Sequence, residues 1–375
     1  MKEAKKLGFG LMRLPSLDEN DPGKIDMEQT CKMVDTFIEK GFTYFDTAYM
    51  YCNFKSEIAA REALVKRHDR NSYTLASKLP IMFLKSKEDC ERIFNEQLEK
   101  CGVEYFDYYL LHNLGIEHYK IAEKFDCFNF IVEKKKEGKI KNIGFSYHDN
   151  SELLDEILNK HPEMEFVQLQ INYLDWESNS IQSRKCYEVA RKHKKLVIVM
   201  EPVKGGTLAK IPEEAEKLFK EYHKDLSIPS WAIRYAASKE GIMMVLSGMS
   251  NMEQLEDNIG YMEEFRPLNK EEYEIVDKVV NIINDSIAIP CTGCSYCTDG
   301  CPKNIAIPKY FSLYNAEMQE RKDKAFTAQG TYYKNYIREY GKASDCIKCR
   351  KCEKACPQHI KITEELERVA KTFEK

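Results

Sequence analysis

The sequence predicts an α/β protein built on an eight-stranded parallel (β/α)8 barrel, the TIM-barrel fold, followed by a smaller and mostly helical domain. Runs of apolar, β-branched and aromatic residues alternate with segments of helical periodicity, and eight such pairs fit within about the first 265 residues. No G-x-G-x-x-G motif follows the first strand, which counts against an open dinucleotide-binding sheet. The 375 residues also exceed one ordinary domain. We therefore expect a barrel over 1–265, a helical linker over 266–288 and a second domain over 289–375.

The elements of the barrel follow one another in a regular order. The predicted strands cover 6–12, 42–48, 72–79, 105–112, 140–147, 166–173, 196–201 and 242–246. The predicted helices cover 27–40, 55–68, 87–101, 126–137, 151–159, 180–193, 213–222 with 229–239, and 251–262. In the first helix Met33, Val34, Phe37 and Ile38 share one face, and Gly41 ends the pattern. Right-handed crossovers between parallel strands bring all the strand carboxyl ends to one rim, where such barrels carry their functional residues.

Composition excludes several classes of partner. The formal net charge is −4, and Lys and Arg are spread along the chain, so no basic surface for nucleic acid is expected. No apolar run approaches the roughly 20 residues needed to span a bilayer. The first residues, 1–6, lack the apolar core of a secretory signal. These features predict a cytoplasmic protein with neither nucleic-acid nor membrane partners.

Polar residues stand at the ends of successive strand-like runs. Asp46 and Tyr51 follow the second run, Lys78 the third, His112 the fourth and Ser146 the fifth. Each has a structural alternative, since the acid could cap a turn, the phenol could pack, the amine could be solvated and the imidazole could lie in the core. Because strand carboxyl ends converge in a barrel, we expect these side chains to surround a carbonyl compound and the cofactor that reduces it.

Cysteine spacing predicts metal centres near the carboxyl end. Eight of the 14 cysteines form two motifs of the form C-x2-C-x2-C-x3-C-P, which is typical of [4Fe–4S] clusters. The expected ligands are Cys291, Cys294, Cys297, Cys301, Cys346, Cys349, Cys352 and Cys356. In two-cluster ferredoxins the fourth cysteine of a motif ligates the other cluster, so Cys356 is assigned to the first centre and Cys301 to the second. Two zinc sites are the alternative, but two copies of this longer spacing favour iron–sulfur clusters.

The segment between the motifs, 309–340, is charged and helix-like. In this respect the carboxyl-terminal part resembles the helical dicluster ferredoxin domain of respiratory iron–sulfur subunits more than a compact ferredoxin of two hairpins. The expected architecture is therefore a (β/α)8 TIM barrel with a C-terminal, mostly helical two-cluster ferredoxin-like domain.

Residues 1–265 resemble the aldo/keto reductases, and the whole chain resembles their ferredoxin-fused branch. The motifs that carry the resemblance are Leu7-Gly8-Phe9-Gly10, Phe45-Asp46-Thr47-Ala48 with Tyr51, Ser56-Glu57, Ala76-Ser77-Lys78, Leu110-Leu111-His112, Ile143-Gly144-Phe145-Ser146, Gln168, and Ser247-Gly248-Met249 with Gln254 to Asn258. Each motif is short, but their order and spacing together are specific.

The resemblance implies that the protein reduces an aldehyde or ketone, a small carbonyl substrate, with hydride from NAD(P)H. Tyr51 would donate the proton, assisted by Lys78, Asp46 and His112. A free tyrosine has a pKa near about 10, and an ammonium beside the phenol favours the phenolate and so makes a better donor. His112 would orient the carbonyl oxygen and stabilise developing negative charge.

The resemblance also implies a set of residues that bind the nicotinamide cofactor. Ser146 and Gln168 would hold the carboxamide, and the glycines would let backbone approach phosphate. The full set is Gly10, Leu11, Met12, Asp46, Ser146, Gln168, Met200, Glu201, Pro202, Val203, Gly205, Gly206, Gly248, Met249, Gln254 and Asn258.

Several positions depart from the family pattern. Met200 replaces the usual stacking aromatic residue, and Tyr147 replaces the usual asparagine after Ser146. Gly248 and Gln254 occupy the places of basic residues that often bind the 2′-phosphate. The choice between NADP and NAD therefore stays open at this point.

Three functions compete. The leading hypothesis is the carbonyl reductase, with two [4Fe–4S] clusters for electron transfer or structural support. Because a nicotinamide gives two electrons as one hydride while a cubane accepts one, an alternative is an iron–sulfur electron-transfer protein whose barrel binds a flavin or docks a redox partner protein. A ligand-sensing barrel without activity fits less well with four polar residues at successive strand ends.

Overall fold

Eight parallel strands form a closed barrel in the first part of the chain, which confirms the predicted fold class. The strands are β1 (Leu7–Gly10), β2 (Tyr44–Asp46), β3 (Thr74–Leu79), β4 (Phe106–Leu114), β5 (Ile140–Tyr147), β6 (Phe166–Gln170), β7 (Leu196–Met200) and β8 (Ile242–Gly248). Each strand pairs with its sequence neighbours, and β1 closes on β8 with Gly10 opposite Gly248. Barrel closure thus brings together loops that are more than 200 residues apart in the sequence.

The computed structural model describes residues 5–18, 21–177, 181–286, 288–291, 293, 295–298, 300–319, 330, 333–334 and 336–374. Two units separate within it: the barrel unit, residues 1–210 with 219–274, and the cysteine unit, residues 211–218 with 275–375. The division at 274–275 falls inside the helix that covers most of the predicted linker 266–288.

Helices follow the strands in the predicted order. They are α1 (Met27–Glu39), α2 (Tyr51–Phe54), α3 (Ser56–Ala60), α4 (Glu88–Cys101), α5 (Ile116–Lys124), α6 (Cys127–Lys136), α7 (Ser151–Lys160), α8 (Ser183–Lys192), α9 (Glu213–Tyr222), α10 (Ile228–Ala237), α11 (Met252–Met262) and α12 (Lys270–Ser286). Further along the chain come α13 (Ile307–Gln319), α14 (Lys351–Ala355) and α15 (Ile362–Phe373). Short 3₁₀ segments cover Leu11–Arg13, Arg70–Ser72, Ile81–Phe83, Lys204–Ala209 and Ala343–Asp345.

The helical pattern differs from the prediction in two places. The predicted helix 55–68 consists of α3 and a wider π-helical turn, Arg61–Val65. Helix α5 was not predicted, because only Tyr119 and Ala122 of its nine residues are buried and the apolar pattern is correspondingly weak.

Apolar side chains fill the barrel from both sides of the sheet. The inner layer contains large residues such as Tyr44, Phe166 and Ile198, and a larger cluster lies between the strands and the surrounding helices. The side chains around the rim are therefore mounted on a rigid, fully packed scaffold.

The cysteine unit has an apolar core of its own. Tyr310 and Phe311 of α13 pack with Leu366 and Val369 of α15, and Tyr333 joins the same cluster. A parallel bridge joins Ile305 to Gly341. Of the predicted helical segment 309–340, α13 is described, whereas 320–329 lie outside the described residues. Among the helices that are described, none combines the length and apolar character that a membrane crossing requires.

Candidate active site

A buried ion pair lies at the carboxyl ends of β2 and β3. The Nζ atom of Lys78 is 2.5 Å from Oδ1 of Asp46 and donates to the Thr47 carbonyl at 2.8 Å. Lys78 is 0% exposed and Asp46 3%. Burial lowers the pKa of Lys78, but Asp46 and Tyr51 together raise it further, so the pKa lies above the ordinary 10.5. Burial raises the pKa of Asp46 above 3.8, against the opposing effect of Lys78.

Tyr51 stands directly over this pair. Its ring centroid is 4.8 Å from Nζ of Lys78 and 5.9 Å from the His112 ring, with the two rings nearly perpendicular. The expected acidification of the phenol is only partly correct. Lys78 does lower the pKa of Tyr51, but burial has the larger effect, and the net pKa lies above the ordinary 10.0.

The chain after Tyr51 has unusual backbone angles. Cys52, Asn53 and Phe54 have φ values of 49°, 52° and 66°, a left-handed run without a glycine. Such conformations cost free energy and persist where surrounding contacts impose them. Here the buried Cys52 thiol lies 3.4 Å from the Leu11 carbonyl, which ties the loop after β2 to the segment after β1.

His112 comes from β4 and is 8% exposed. Burial, with a smaller contribution from Lys78, holds its pKa well below 6.5, so the imidazole is neutral at neutral pH. Its Nδ1 atom has no hydrogen-bond partner among the residues described. Beside it, the backbone N–H of Asn113 donates to Oγ of Ser146 at 2.7 Å, and this hydrogen bond joins β4 to β5.

A buried network of polar side chains contacts the backbone of β3 at Ser77 and Lys78. The Glu57 carboxylate accepts hydrogen bonds from Ser77 at 2.7 Å and Gln97 at 2.6 Å, and Gln97 also donates to the Lys78 carbonyl at 3.1 Å. The Tyr109 hydroxyl donates to Gln97 at 2.6 Å. Sequence reasoning noted Glu57 only as part of a motif. Its supporting role depends on contacts between α3, β3, α4 and β4, which no local pattern reveals.

A cavity of about 320 Å³ opens beside Asp46 and Tyr51. Its volume is within the size range of small-molecule sites. Most of the predicted cofactor residues line it: Gly10, Met12, Asp46, Gln168, Met200, Glu201, Pro202, Val203, Gly205, Gly206, Gly248, Gln254 and Asn258. Tyr51 also lines the cavity. Its wall additionally contains Arg13 and Ser250, which the sequence did not single out, and Asp257, which belongs to the motif from Gln254 to Asn258.

Some predicted cofactor residues have other surroundings. Leu11 and Met249 are buried in the apolar core, and Ser146 is 2% exposed next to Gln168 on β6. Gln254 accepts from the Ser250 amide at 2.8 Å, at the start of α11. Asn258 donates to Oγ of Ser247 at 2.7 Å. Gln254 and Asn258 therefore shape the cavity wall as well as facing it.

The motif cysteines line two further cavities in the cysteine unit. One is lined by Cys301 together with Cys346, Cys349 and Cys352. The other is lined by Cys291, Cys297 and Cys356. Cys294 lies outside the described residues. Each cavity thus combines one motif with the fourth cysteine of the other, and apolar side chains such as Ile307 complete both walls.

Comparison with known proteins assigns both parts of the chain. Residues 6–281 match the aldo/keto reductase family model, and residues 290–361 match a 4Fe-4S dicluster domain. The uncharacterized oxidoreductase YqkF of Bacillus subtilis is 24% identical over 287 residues, which cover 68% of this chain and 87% of that protein.

Solved structures show the same barrel. The aldo-keto reductase AKR11C1 from Bacillus halodurans, in its holo form, aligns with a TM-score of 0.59 and 25% identity, over 73% of this chain and 91% of that one. An aldo-keto reductase from Klebsiella pneumoniae in complex with NADPH aligns with a TM-score of 0.57 and 18% identity, over 74% and 91%. The chain therefore belongs to the aldo/keto reductase family, and a 4Fe-4S dicluster domain follows the barrel in its sequence.

Proposed function

We propose that the protein reduces an aldehyde or ketone with hydride from NAD(P)H. The observation that carries the proposal is the buried pair of Lys78 and Asp46 beneath the phenol of Tyr51, with the neutral His112 at its edge. These four groups come from three adjacent strand ends, and two of them, Asp46 and Tyr51, line a cavity large enough for a small ligand.

Each side chain has a distinct task. A bound nicotinamide supplies the hydride to the carbonyl carbon. The Tyr51 hydroxyl donates its proton to the carbonyl oxygen, and the Lys78 ammonium stabilises the phenolate that remains. Asp46 keeps Lys78 charged in a site without solvent. His112 donates a hydrogen bond to the carbonyl oxygen and so aligns it with Tyr51.

The cavity has features that suit a dinucleotide. Oε1 of Gln168 is buried and has no hydrogen-bond partner among the described residues, so it is free to accept from a carboxamide. Gly205 and Gly206 have φ values of 65° and 101° and present bare backbone to the cavity. The Klebsiella pneumoniae relative, which shares the fold, is itself a complex with NADPH.

Two [4Fe–4S] clusters would be held by the two sets of cysteines. Each set combines thiols that wrap an apolar cavity, which is the environment that cubanes occupy. The clusters would transfer single electrons, whereas hydride transfer moves a pair. We therefore assign them either to structural support or to electron exchange with a redox partner protein.

The direct test is Tyr51→Phe, which removes the proton donor and keeps the ring. The reductase rate constant is expected to fall by about 100-fold or more, as for loss of a general acid. Tyr49→Phe is the matched control, because the Tyr49 hydroxyl bonds to Glu96. An unchanged reductase rate in Tyr51→Phe, measured by nicotinamide absorbance with a panel of aldehydes, would contradict the proposal.

Met200 supports the alternative of a flavin-binding electron-transfer protein, since its thioether lines the cavity at the position where the family usually has a stacking aromatic ring. Under this alternative the anaerobically purified protein would show flavin absorbance and would pass electrons to a carrier without reducing carbonyl compounds. Its cavity residues would then bind an isoalloxazine ring in place of the nicotinamide.

A further inference from the structure

A cationic side chain, that of Arg13, lies at the edge of the cavity. Arg13 ends the 3₁₀ segment Leu11–Arg13 after β1, and its side chain is exposed. Its carbonyl accepts a hydrogen bond from Oγ of Ser250 at 3.0 Å, which anchors the backbone to the loop after β8. In the part of the chain that is described, its guanidinium makes neither an ion pair nor a hydrogen bond.

The stem of Arg13 lies against Gly248. A Cβ atom on residue 248 would be 3.1 Å from Cδ, 3.2 Å from Cβ and 3.3 Å from Cγ of Arg13. Any larger side chain at 248 would crowd this stem. Gly248 lacks the basic side chain that the family often has at this position. Because it has no side chain, it also leaves space for the side chain of Arg13, which follows β1 at the other end of the barrel sequence.

The head of Arg13 reaches the loop after β7. Its Nη2 atom is 3.6 Å from the point where a Cβ atom on Gly205 would lie, and Oε2 of Glu201 is 3.6 Å from the same point. The side chain thus extends from the end of β8, at Gly248, toward the loop after β7, at Gly205. We call the space between these two glycines the groove.

The charges around the cavity make Arg13 distinctive. Three carboxylates line the wall: Asp46 is paired with Lys78, Asp257 accepts from Ser227 at 2.6 Å, and Glu201 lies beside Gly205. Among the described lining residues Arg13 is the one lysine or arginine. A dinucleotide brings a diphosphate into this groove, and a 2′-phosphate adds about −1.5 to −2 further charge. The described part of the wall thus has one cation for the diphosphate and no second cation for a 2′-phosphate.

We propose that Arg13 binds the pyrophosphate of the cofactor across the groove between Gly205 and Gly248, and that the cavity therefore takes NADH in preference to NADPH. The inference rests on the proposed function, since it assumes that a nicotinamide dinucleotide occupies the cavity. Because the diphosphate is common to both cofactors, Arg13 contributes equally to each. The preference for NADH comes from Asp257 and Glu201, which disfavour additional negative charge.

The test is direct binding of NADH and NADPH to the full-length protein, purified anaerobically with its iron and measured by calorimetry. Arg13→Met keeps the stem on Gly248 and removes the charge. Its dissociation constants for both cofactors are expected to rise by a similar factor of about 10 to 100, the effect of losing a charge-assisted hydrogen bond. Wild type is expected to bind NADH more tightly than NADPH. Arg92→Met, which removes an exposed arginine paired with Asp89 on α4, is the control and should bind as wild type does.

The outcomes separate this inference from the proposed function. Wild-type protein that binds neither cofactor overturns both. Wild-type binding that Arg13→Met leaves unchanged overturns only the role of Arg13. A loss confined to NADPH would place Arg13 at the 2′-phosphate, and tighter wild-type binding of NADPH would refute the preference. Equal thermal unfolding midpoints for Arg13→Met and wild type exclude a folding defect as the cause of weaker binding.

Discussion

Burial and neighbouring charges together set the protonation states of single residues at the candidate site. Asp46 and Tyr51 keep Lys78 charged at 0% exposure, whereas burial keeps His112 neutral. Tyr51 lies between these cases, since the neighbouring ammonium lowers its pKa and the loss of solvent raises it further. The Tyr51 phenol is therefore protonated at neutral pH. The Lys78 ammonium would act chiefly by stabilising the phenolate that forms when the proton leaves.

These directions predict the pH dependence of reduction. Tyr51 must be protonated to donate, and its pKa lies above 10.0; His112 must be neutral, and its pKa lies well below 6.5. Both conditions hold from pH 6.5 to 10.0, so the rate constant at saturating cofactor and substrate should be flat over this range. Above it the rate should fall as the phenol ionises. A decline that begins well below pH 10.0 and persists in His112→Gln would show that burial does not set the pKa of Tyr51.

The pairing of β5 with β6 positions two of the proposed cofactor ligands, Ser146 and Gln168. Ser146 on β5 and Gln168 on β6 are register partners, so the spacing between these two strands sets the distance between two proposed cofactor ligands. Gly144 permits that spacing. A Cβ atom at this position would lie 2.4 Å from the Phe166 carbonyl oxygen, which is backbone of β6 and cannot rotate away.

Gly144→Ala should therefore destabilise the barrel by about 2 kcal/mol or more, since overpacking against backbone forces the strands apart. Gly260→Ala is the matched control. Gly260 is an exposed residue of α11, and a Cβ atom there would meet nothing within 4 Å, so alanine should stabilise the protein by about 0.5–1 kcal/mol. Denaturant unfolding of both variants provides the comparison. If the two substitutions have equal effects, the close approach of β5 and β6 does not constrain residue 144.

The elements also show how far the sequence alone could lead. Asp46, Lys78 and His112 were predictable, because parallel strands in a barrel must end at one rim. The left-handed run at Cys52 was not, since its angles are imposed by contacts with the segment after β1. Arg13 was missed for a similar reason. Its position over Gly248 arises only when β1 pairs with β8, a contact between residues at opposite ends of the barrel sequence.

At the scale of the whole molecule, the proposed function combines two-electron chemistry in the barrel with one-electron chemistry in the cysteine unit. The cysteine unit has its own apolar core and its own two thiol-lined cavities. Its cavities pair Cys301 with the second motif and Cys356 with the first, which agrees with the crossed ligation inferred from spacing.

Crossed ligation predicts which substitutions share a phenotype. In anaerobically purified protein with about eight iron atoms per chain, Cys301→Ser should perturb the same reduced-cluster resonance signal as Cys349→Ser. Cys356→Ser should perturb the other signal, together with Cys291→Ser. Cys186→Ser, at a buried barrel cysteine outside both motifs, should alter neither signal. Were Cys301→Ser to match Cys291→Ser instead, each motif would hold a cluster by itself.

The central claim is that hydride passes directly from a nicotinamide to a carbonyl carbon beside Tyr51. Single turnover of the anaerobic, iron-loaded protein with an aldehyde and NADH deuterated at C4 of the nicotinamide tests it most directly. Mass spectrometry of the alcohol should find the deuterium of one C4 face at the former carbonyl carbon. An alcohol that carries only solvent hydrogen there would contradict the claim, because the electrons would then have travelled through a flavin or the clusters.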